Sequence, residues 1–166
     1  MMQSKCRDIS IDEWHELARA AGEEGRHMAL RFHVTGVSMV PTIRNGLDGV
    51  VVLPLDEERV KDVEKGDVIL FRKKNLVGDY VLHRVWKVEG DKVQTIGDGN
   101  LCADEWITRD KIYGVAVELH KGNQKIRLDS AWMWLWGRLW LFLLPVRGPL
   151  LAGMAHLYGR KGKTEG

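Results

Sequence analysis

Seven short segments rich in β-branched and aromatic residues dominate the middle of the chain and leave few folds open to it. They lie at residues 30–35, 50–53, 67–71, 80–88, 92–96, 112–119 and 124–128. Because no ten-residue helical pattern separates them, a parallel α/β sheet with helical crossovers is disfavoured. Glycine-containing turns at residues 88–92 and 120–124 predict two hairpins. We therefore expect a mainly β domain over residues 30–128, built as a coiled antiparallel sheet or partial barrel.

A short amphipathic helix is predicted within residues 1–29. Ser10 can cap it, Gly22 can end it, and its apolar positions recur at helical spacing: Ile11, Trp14, Leu17, Ala18 and Ala21. We expect this helix to pack on the β domain. No apolar run follows Lys5 and Arg7, so the sequence predicts neither a secretory signal peptide nor an N-terminal membrane helix.

Residues 129–166 differ chemically from the rest of the chain. They contain four tryptophans within nine positions: Trp132, Trp134, Trp136 and Trp140. Arg138, Arg147 and two prolines divide the apolar sequence, and no stretch reaches the roughly 18 residues of a spanning helix. We expect an apolar helical tail that contacts a membrane surface, as a peripheral or monotopic anchor. The alternative is a tail folded back onto the domain or paired with another copy. The side of the membrane is not fixed, and a cytoplasmic location is compatible with the N-terminal sequence.

Composition excludes several classes of protein. The 25 Lys and Arg residues nearly balance the 23 Asp and Glu residues, and 45% of the chain is hydrophobic, which argues against intrinsic disorder. No basic recognition helix precedes the β region, so nucleic-acid binding is not expected. The two cysteines, Cys6 and Cys102, match no metal-ligand spacing, although one long-range disulfide between them stays open. We expect neither a metal nor a cofactor.

A serine at position 38 has the setting that a nucleophile requires. Residues 35–42 read Thr-Gly-Val-Ser-Met-Val-Pro-Thr and follow a predicted strand. Gly36 permits close approach of a substrate backbone, and Pro41 stiffens the exit of the turn. Such a turn can hold the Ser38 hydroxyl and its N–H in one direction, as nucleophilic attack and oxyanion binding demand. An ordinary turn serine is the alternative.

His83 is the best-framed candidate base. Alternation along residues 80–86 places it on one strand face with Val81 and Val85, where it needs a polar partner. A hydrogen-bonded core histidine is the alternative. The other histidines lack a comparable setting: His15, His27, His33, His120 and His156.

Two aspartates follow in a loop after the predicted strand at 92–96. Either Asp98 or Asp104 could present a carboxylate to the second ring nitrogen of His83 and stabilise the imidazolium. Asp98 lies between Gly97 and Gly99, which is also ordinary turn chemistry.

Five sequence boxes, in this order, resemble those of the signal peptidase I and LexA-like serine peptidases. They read Gly-Val-Ser-Met-Val-Pro-Thr (36–42), Lys-Gly-Asp-Val-Ile (65–69), Leu-His-Arg-Val (82–85), Gly-Asp (97–98, with Asp104 six residues on) and Ile-Tyr-Gly-Val-Ala (112–116). The resemblance covers about residues 30–119. It implies a coiled, mostly β fold and a serine endopeptidase that cleaves leader or signal-like peptides after a small residue. His83 in the third box resembles the endoplasmic-reticulum-type branch, whereas other members carry lysine there.

The resemblance also implies a role for each matched residue. Ser38 would be the nucleophile and an oxyanion donor, His83 the general base, Asp104 the orienting acid and Asp98 a supporting residue. Gly36 and Met39 would bind the substrate or the oxyanion beside Ser38. Gly-Val at 36–37 stands where signal peptidases typically have Ser-Gly, and the inserted residue in Asn-Gly-Leu-Asp at 45–48 is a second departure. A catalytically inactive peptide-binding module on the same fold is therefore the alternative function.

Overall fold

The described strands of this chain form one sheet, with one helix before it and two helices after it in the sequence. The computed structural model describes residues 10–23, 28–73 and 80–161. In these ranges the helices are α1 (Ile11–Glu23), α2 (Ala131–Phe142) and α3 (Arg147–Lys161). The strands are β1 (Leu30–His33), β2 (Asp48–Pro54), β3 (Val68–Arg72), β4 (Tyr80–Glu89), β5 (Lys92–Ile96), β6 (Trp106–Thr108), β7 (Ile112–Lys121) and β8 (Gln124–Arg127).

All eight described strands join one antiparallel sheet, which is not closed. The strand order is β1-β2-β7-β3-β4-β5-β6, and β8 pairs with the C-terminal half of β7. Register shifts in the β2–β7, β3–β7 and β4–β5 pairs bend the sheet. The expectation of a mainly β fold with helices at both ends is confirmed.

The predicted hairpins are confirmed, and their glycines explain them. Gly90 and Gly122 adopt φ values of 57° and 58°, in the left-handed region that favours glycine. The sequence did not predict β6, because three residues are too few to display an alternating pattern.

Two apolar clusters cover the two faces of the sheet, as the period of a strand requires. Val68 and Leu70 of β3 enter one cluster, while Ile69 and Phe71 enter the other. Trp14 of α1 is 1% exposed in the first cluster, which confirms that α1 packs on the β domain. A capping box begins α1, since the Ser10 N–H donates to the Glu13 carboxylate and the Glu13 N–H donates to the Ser10 hydroxyl.

Helix α2 lies against the domain with one face, and α3 contacts the domain through its first residue, Arg147. Trp140 and Leu141 of α2 and Arg147 of α3 are buried, whereas Trp132 and Phe142 are 71% and 79% exposed. The tail therefore folds back onto the domain, as one of the two interpretations predicts, and still leaves an apolar face uncovered. Among the described helices, none has both the length and the apolar character needed to cross a membrane. Cys102 is an exposed free thiol, and Cys6 lies outside the described residues.

Candidate active site

The turn that carries Ser38 is fixed from both ends. Gly36 adopts a φ of 100°, which side chains rarely tolerate, and its N–H donates to the Asn45 side-chain oxygen at 2.9 Å. The Val40 N–H closes the turn on the Val37 carbonyl oxygen at 3.1 Å. The Met39 side chain is 1% exposed and anchors the turn in the core. Any contact of Met39 with a substrate must therefore come from its backbone.

Ser38 is half-buried and has free hydrogen-bonding groups. Among the described residues, neither its hydroxyl nor its N–H has a hydrogen-bond partner. An N–H without an acceptor is available to bind a developing oxyanion. At Gly36 no protein atom lies within 4 Å of the position that a side chain would take, so the space beside the turn is open.

A cavity of about 490 Å³ is lined by Ser38, His83 and Asp104 among others. Its lining residues come from α1, β1, β3, β4 and the loops after β1, β3 and β5: Ile11, Phe32, His33, Val34, Thr35, Ser38, Leu70, Lys73, Tyr80, Val81, Leu82, His83, Asn100 and Asp104. Asp98, Gly36 and Met39 are not among them. The cavity thus collects three of the residues that the sequence singled out.

His83 and Asp104 form a short, buried hydrogen bond. The His83 Nδ1 lies 2.6 Å from Asp104 Oδ2, and the two side chains are 6% and 9% exposed. The Thr95 hydroxyl donates to the same oxygen at 2.8 Å, and the Asp104 N–H donates to the Thr95 carbonyl oxygen. These contacts fix the carboxylate in position against the ring.

The charge of Asp104 determines which nitrogen of His83 is free. Burial raises the pKa of Asp104, but its hydrogen bonds to His83 and Thr95 and the nearby positive charges outweigh burial, and the pKa is lowered overall. Asp104 is therefore a carboxylate at neutral pH and accepts a hydrogen bond from His83 Nδ1–H. We assign the Nδ1–H tautomer accordingly, which leaves the Nε2 lone pair available to take a proton.

Lys73 is a charged group at the site that the sequence reasoning missed. Its ammonium lies 3.9 Å from Asp104 Oδ1, and its side chain is 49% exposed. The alternation of side chains along β3 could have indicated this position. Ile69 pairs with His83 and shares its face of the sheet, and every second residue after Ile69 lies on that face, first Phe71 and then Lys73.

Asp98 is not part of this constellation. It is fully buried and its two carboxylate oxygens accept hydrogen bonds from Arg84 at 2.8 and 2.7 Å. Arg84 points away from its neighbour His83, as alternation along β4 requires, and also donates to the Gly66 carbonyl oxygen. Of the two candidate aspartates, only Asp104 contacts His83.

The loop at residues 97–100 nevertheless supports the Ser38 turn. The Gly99 N–H donates to the Ser38 carbonyl oxygen at 2.7 Å. A side chain at Gly99 would lie 2.7 Å from the Val37 carbonyl oxygen, and one at Gly97 would collide with the Ser38 carbonyl oxygen. The glycines on both sides of Asp98 are thus required for close approach to the Ser38 turn.

The C-terminal helices hold this loop from its other side. The Trp140 indole donates to the Asp98 carbonyl oxygen at 3.0 Å. Arg147 is fully buried and donates to the carbonyl oxygens of Gly97 and Asn100 at 3.2 and 3.1 Å. The sequence offered no signal for these contacts, because an arginine in an apolar tail is also expected at a membrane interface.

The remaining histidines do not share the setting of His83. His33 lines the cavity but is exposed and has no carboxylate partner among the described residues. His120 pairs with Glu118 away from the cavity, and His15 packs against the ring of Tyr113. His27 and the side chain of His156 lie outside what the structure describes. No cluster of three or more His, Cys, Asp or Glu side chains suited to a metal occurs in the described ranges.

Comparison with known proteins gives one family. The model of the family described as signal peptidase, peptidase S26, matches residues 27–127. This range includes Ser38, His83 and Asp104. No curated protein matches the sequence.

Proposed function

The chain belongs to the signal peptidase, peptidase S26 family, and from this we propose that it is a serine endopeptidase that cleaves leader or signal-like peptides with a histidine base. Family membership supports a serine peptidase with signal-peptide substrates. One observation carries the proposal for this chain: Ser38 and His83 line one cavity, and Asp104 is hydrogen-bonded to the far nitrogen of His83.

In the acylation half-reaction, the Ser38 hydroxyl attacks the carbonyl carbon of the scissile peptide bond. His83 Nε2 takes the hydroxyl proton, and Asp104 stabilises the resulting imidazolium. The Ser38 N–H, which has no partner among the described residues, donates to the oxyanion. Collapse of the tetrahedral intermediate breaks the C–N bond, and the imidazolium gives its proton to the leaving amine.

Water completes the reaction. His83 removes a proton from a water molecule, whose oxygen attacks the acyl ester on Ser38. The second tetrahedral intermediate releases the new carboxyl terminus, and His83 returns the proton to the Ser38 oxygen. The net change is hydrolysis of one peptide bond, and the protein is regenerated.

The identity of the base supports placement near the endoplasmic-reticulum-type branch. His83 stands in the box where other members of the resembling group carry lysine, and a lysine base must be desolvated to lose its proton near neutrality. The preference for a small residue before the cleaved bond follows from the resemblance of the Ser38 box. Gly36 would let the substrate backbone lie close to the nucleophile.

A catalytically inactive peptide-binding module is the second candidate. Its support is the Gly-Val sequence at 36–37, which supplies no second hydroxyl beside the oxyanion position. Such a module would bind extended peptides in the same cavity without cutting them.

Cleavage of internally quenched signal-like peptides, with alanine before the scissile bond, tests the proposal. Ser38→Ala and His83→Ala should each lower kcat/KM by at least about 10³-fold, because a triad acts as a unit. His33→Ala is the matched control, since His33 lines the same cavity without a carboxylate partner.

Two results would decide against this assignment. A large loss in His33→Ala with little loss in His83→Ala would move the base to His33. Peptide binding without turnover, unchanged by Ser38→Ala, would establish the binding module instead.

A further inference from the structure

One face of the C-terminal helices exposes large apolar side chains in a row. Trp132, Leu135, Leu139 and Phe142 of α2 are 71%, 51%, 47% and 79% exposed. Their spacing of three and four residues places them on one side of the helix, opposite the side that buries Leu141. We call these four side chains the outer stripe. Globular proteins rarely leave such a contiguous apolar row open unless it binds something.

We propose that the outer stripe seats the protein on an anionic lipid surface, with α2 lying along the surface. A helix of 12 residues is about 18 Å long, and the hydrocarbon core of a bilayer is about 30 Å thick. A helix of this length with one apolar side is suited to the interface rather than to the interior. Trp132 fits this location, because its ring is apolar while its indole N–H has no partner among the described residues.

The charge of the surrounding sequence selects anionic lipid. Residues 130–166 contain five of the 25 Lys and Arg residues but one of the 23 Asp and Glu residues, so they carry +4 and residues 1–129 carry −2. No acidic residue occurs between Asp129 and Glu165, and three cations stand near the end, at positions 160, 161 and 163. Arg147 is buried against carbonyl oxygens and Arg138 lies 3.8 Å from Glu64, so the cations counted toward lipid are those at 160, 161 and 163. Basic sequence that follows an apolar helix strengthens binding to anionic headgroups.

The same charge argues against a second copy of the chain as the occupant. In a twofold dimer through the outer stripe, each copy would contribute a tail of net charge +4, and like charges oppose association. A lipid surface carries the complementary charge instead.

Apolar exposure continues from these helices toward the proposed active site. Leu101, which is 57% exposed, lies beside Gly148 of α3. The loop before Leu101 contacts the backbone of Val37, which is 69% exposed and precedes Ser38. Exposed apolar side chains thus occur both on the outer stripe and on the loops that flank the Ser38 turn.

Flotation of the full chain with lipid vesicles tests this inference. We expect the protein to float with vesicles of phosphatidylcholine mixed with phosphatidylglycerol, and less with phosphatidylcholine alone. Trp132→Ser/Phe142→Ser should lower the partition coefficient by at least about tenfold, since two large apolar groups leave the lipid. Leu17→Ser/Trp106→Ser, on α1 and β6, is the matched control and should float like the unchanged protein. Circular dichroism verifies that both variants are folded.

Three results would overturn the inference. They are absence of flotation with the mixed vesicles, equal flotation of the outer-stripe variant, and equal losses in both double variants. A dimer in analytical ultracentrifugation that the outer-stripe substitutions dissociate, without vesicle binding, would assign the face to a second copy. The measurement involves no cleavage and is therefore independent of the proposed peptidase activity.

Discussion

Two aspartates six residues apart lie in different surroundings, and the surroundings define what each can do. Asp104 borders a cavity and accepts hydrogen bonds from His83 and Thr95. Asp98 is enclosed and accepts both of its side-chain hydrogen bonds from Arg84. Asp104 thus borders the cavity beside His83, whereas Asp98 lies in an enclosed ion pair, although both stand in the same loop.

Asp104→Asn should reduce activity far more than stability at neutral pH. The amide cannot stabilise the imidazolium and favours the wrong tautomer of His83, so kcat should fall by about 10⁴-fold. Steady-state kinetics with the quenched peptides measures this. An activity within about tenfold of the unchanged protein would show that Asp104 does not orient the base.

The lowered pKa of Asp104 also predicts a pH dependence of stability. A carboxyl whose pKa is lower in the folded state than its ordinary value of 3.8 stabilises the fold above that value. The difference in unfolding free energy between the unchanged protein and Asp104→Asn should decrease as the pH falls from 3.8 through the lowered pKa. Urea titrations below the ordinary pKa of the carboxyl measure it, and a difference that grows over this range would contradict the prediction.

Asp98→Asn should act mainly on stability. It leaves the Arg84 guanidinium buried without a counter-charge, and breaking such a pair costs about 3–5 kcal/mol. Chemical denaturation gives the free energy of unfolding, with Asp129→Asn as an exposed control whose partner is Arg127. A loss below about 1 kcal/mol would mean that the pair contributes little.

At the scale of elements, a β-bulge explains why the contact between Asp104 and Thr95 could not be predicted from the sequence. A regular hairpin through Gly90 pairs Val88 with Val93 and would pair Trp86 with Thr95, on the face away from His83. The register shift in β4 pairs Thr95 with Val85 instead, on the face of His83. The strands and turns were readable from local patterns, but one extra residue in a strand leaves no such pattern. The family boxes located His83 and Asp104 without giving this geometry.

The position of helices α2 and α3 is a second feature that the sequence left open. An apolar sequence with arginines is compatible with a membrane interface and with packing against a polar loop, and this tail shows packing on one face. The role of Arg147 follows from its hydrogen bonds to the carbonyl oxygens of Gly97 and Asn100, which no local sequence pattern indicates.

Arg147→Gln should therefore lower kcat with little change in KM. The loop at 97–100 would lose two of its anchors, and small displacements of a nucleophile can cost about 10²-fold in rate. Kinetics are measured at a temperature where circular dichroism shows the variant folded, so that loss of fold does not account for the result. The exposed Arg127→Gln is the matched control. Unchanged kcat in folded Arg147→Gln would show that the tail does not position Ser38.

At the scale of the whole molecule, the cavity and the outer stripe are formed by different elements of the fold. The cavity lies where α1, β1, β3 and β4 meet, and the basic C-terminal helices pack behind the loop that supports Ser38. The net charge of +2 conceals this division, because residues 1–129 carry −2 and residues 130–166 carry +4. The proposed function depends most on one step, in which His83 activates Ser38.

Labelling with a peptidyl phosphonate that carries an alanine-like side chain tests that claim most directly. The reagent forms a covalent bond with an activated serine, and mass spectrometry of digested protein locates it. We predict one modified residue, Ser38, in the unchanged protein, and labelling slowed by at least about 10²-fold in His83→Ala. Equal labelling in His83→Ala, modification at another residue, or no labelling of the unchanged protein would contradict the account.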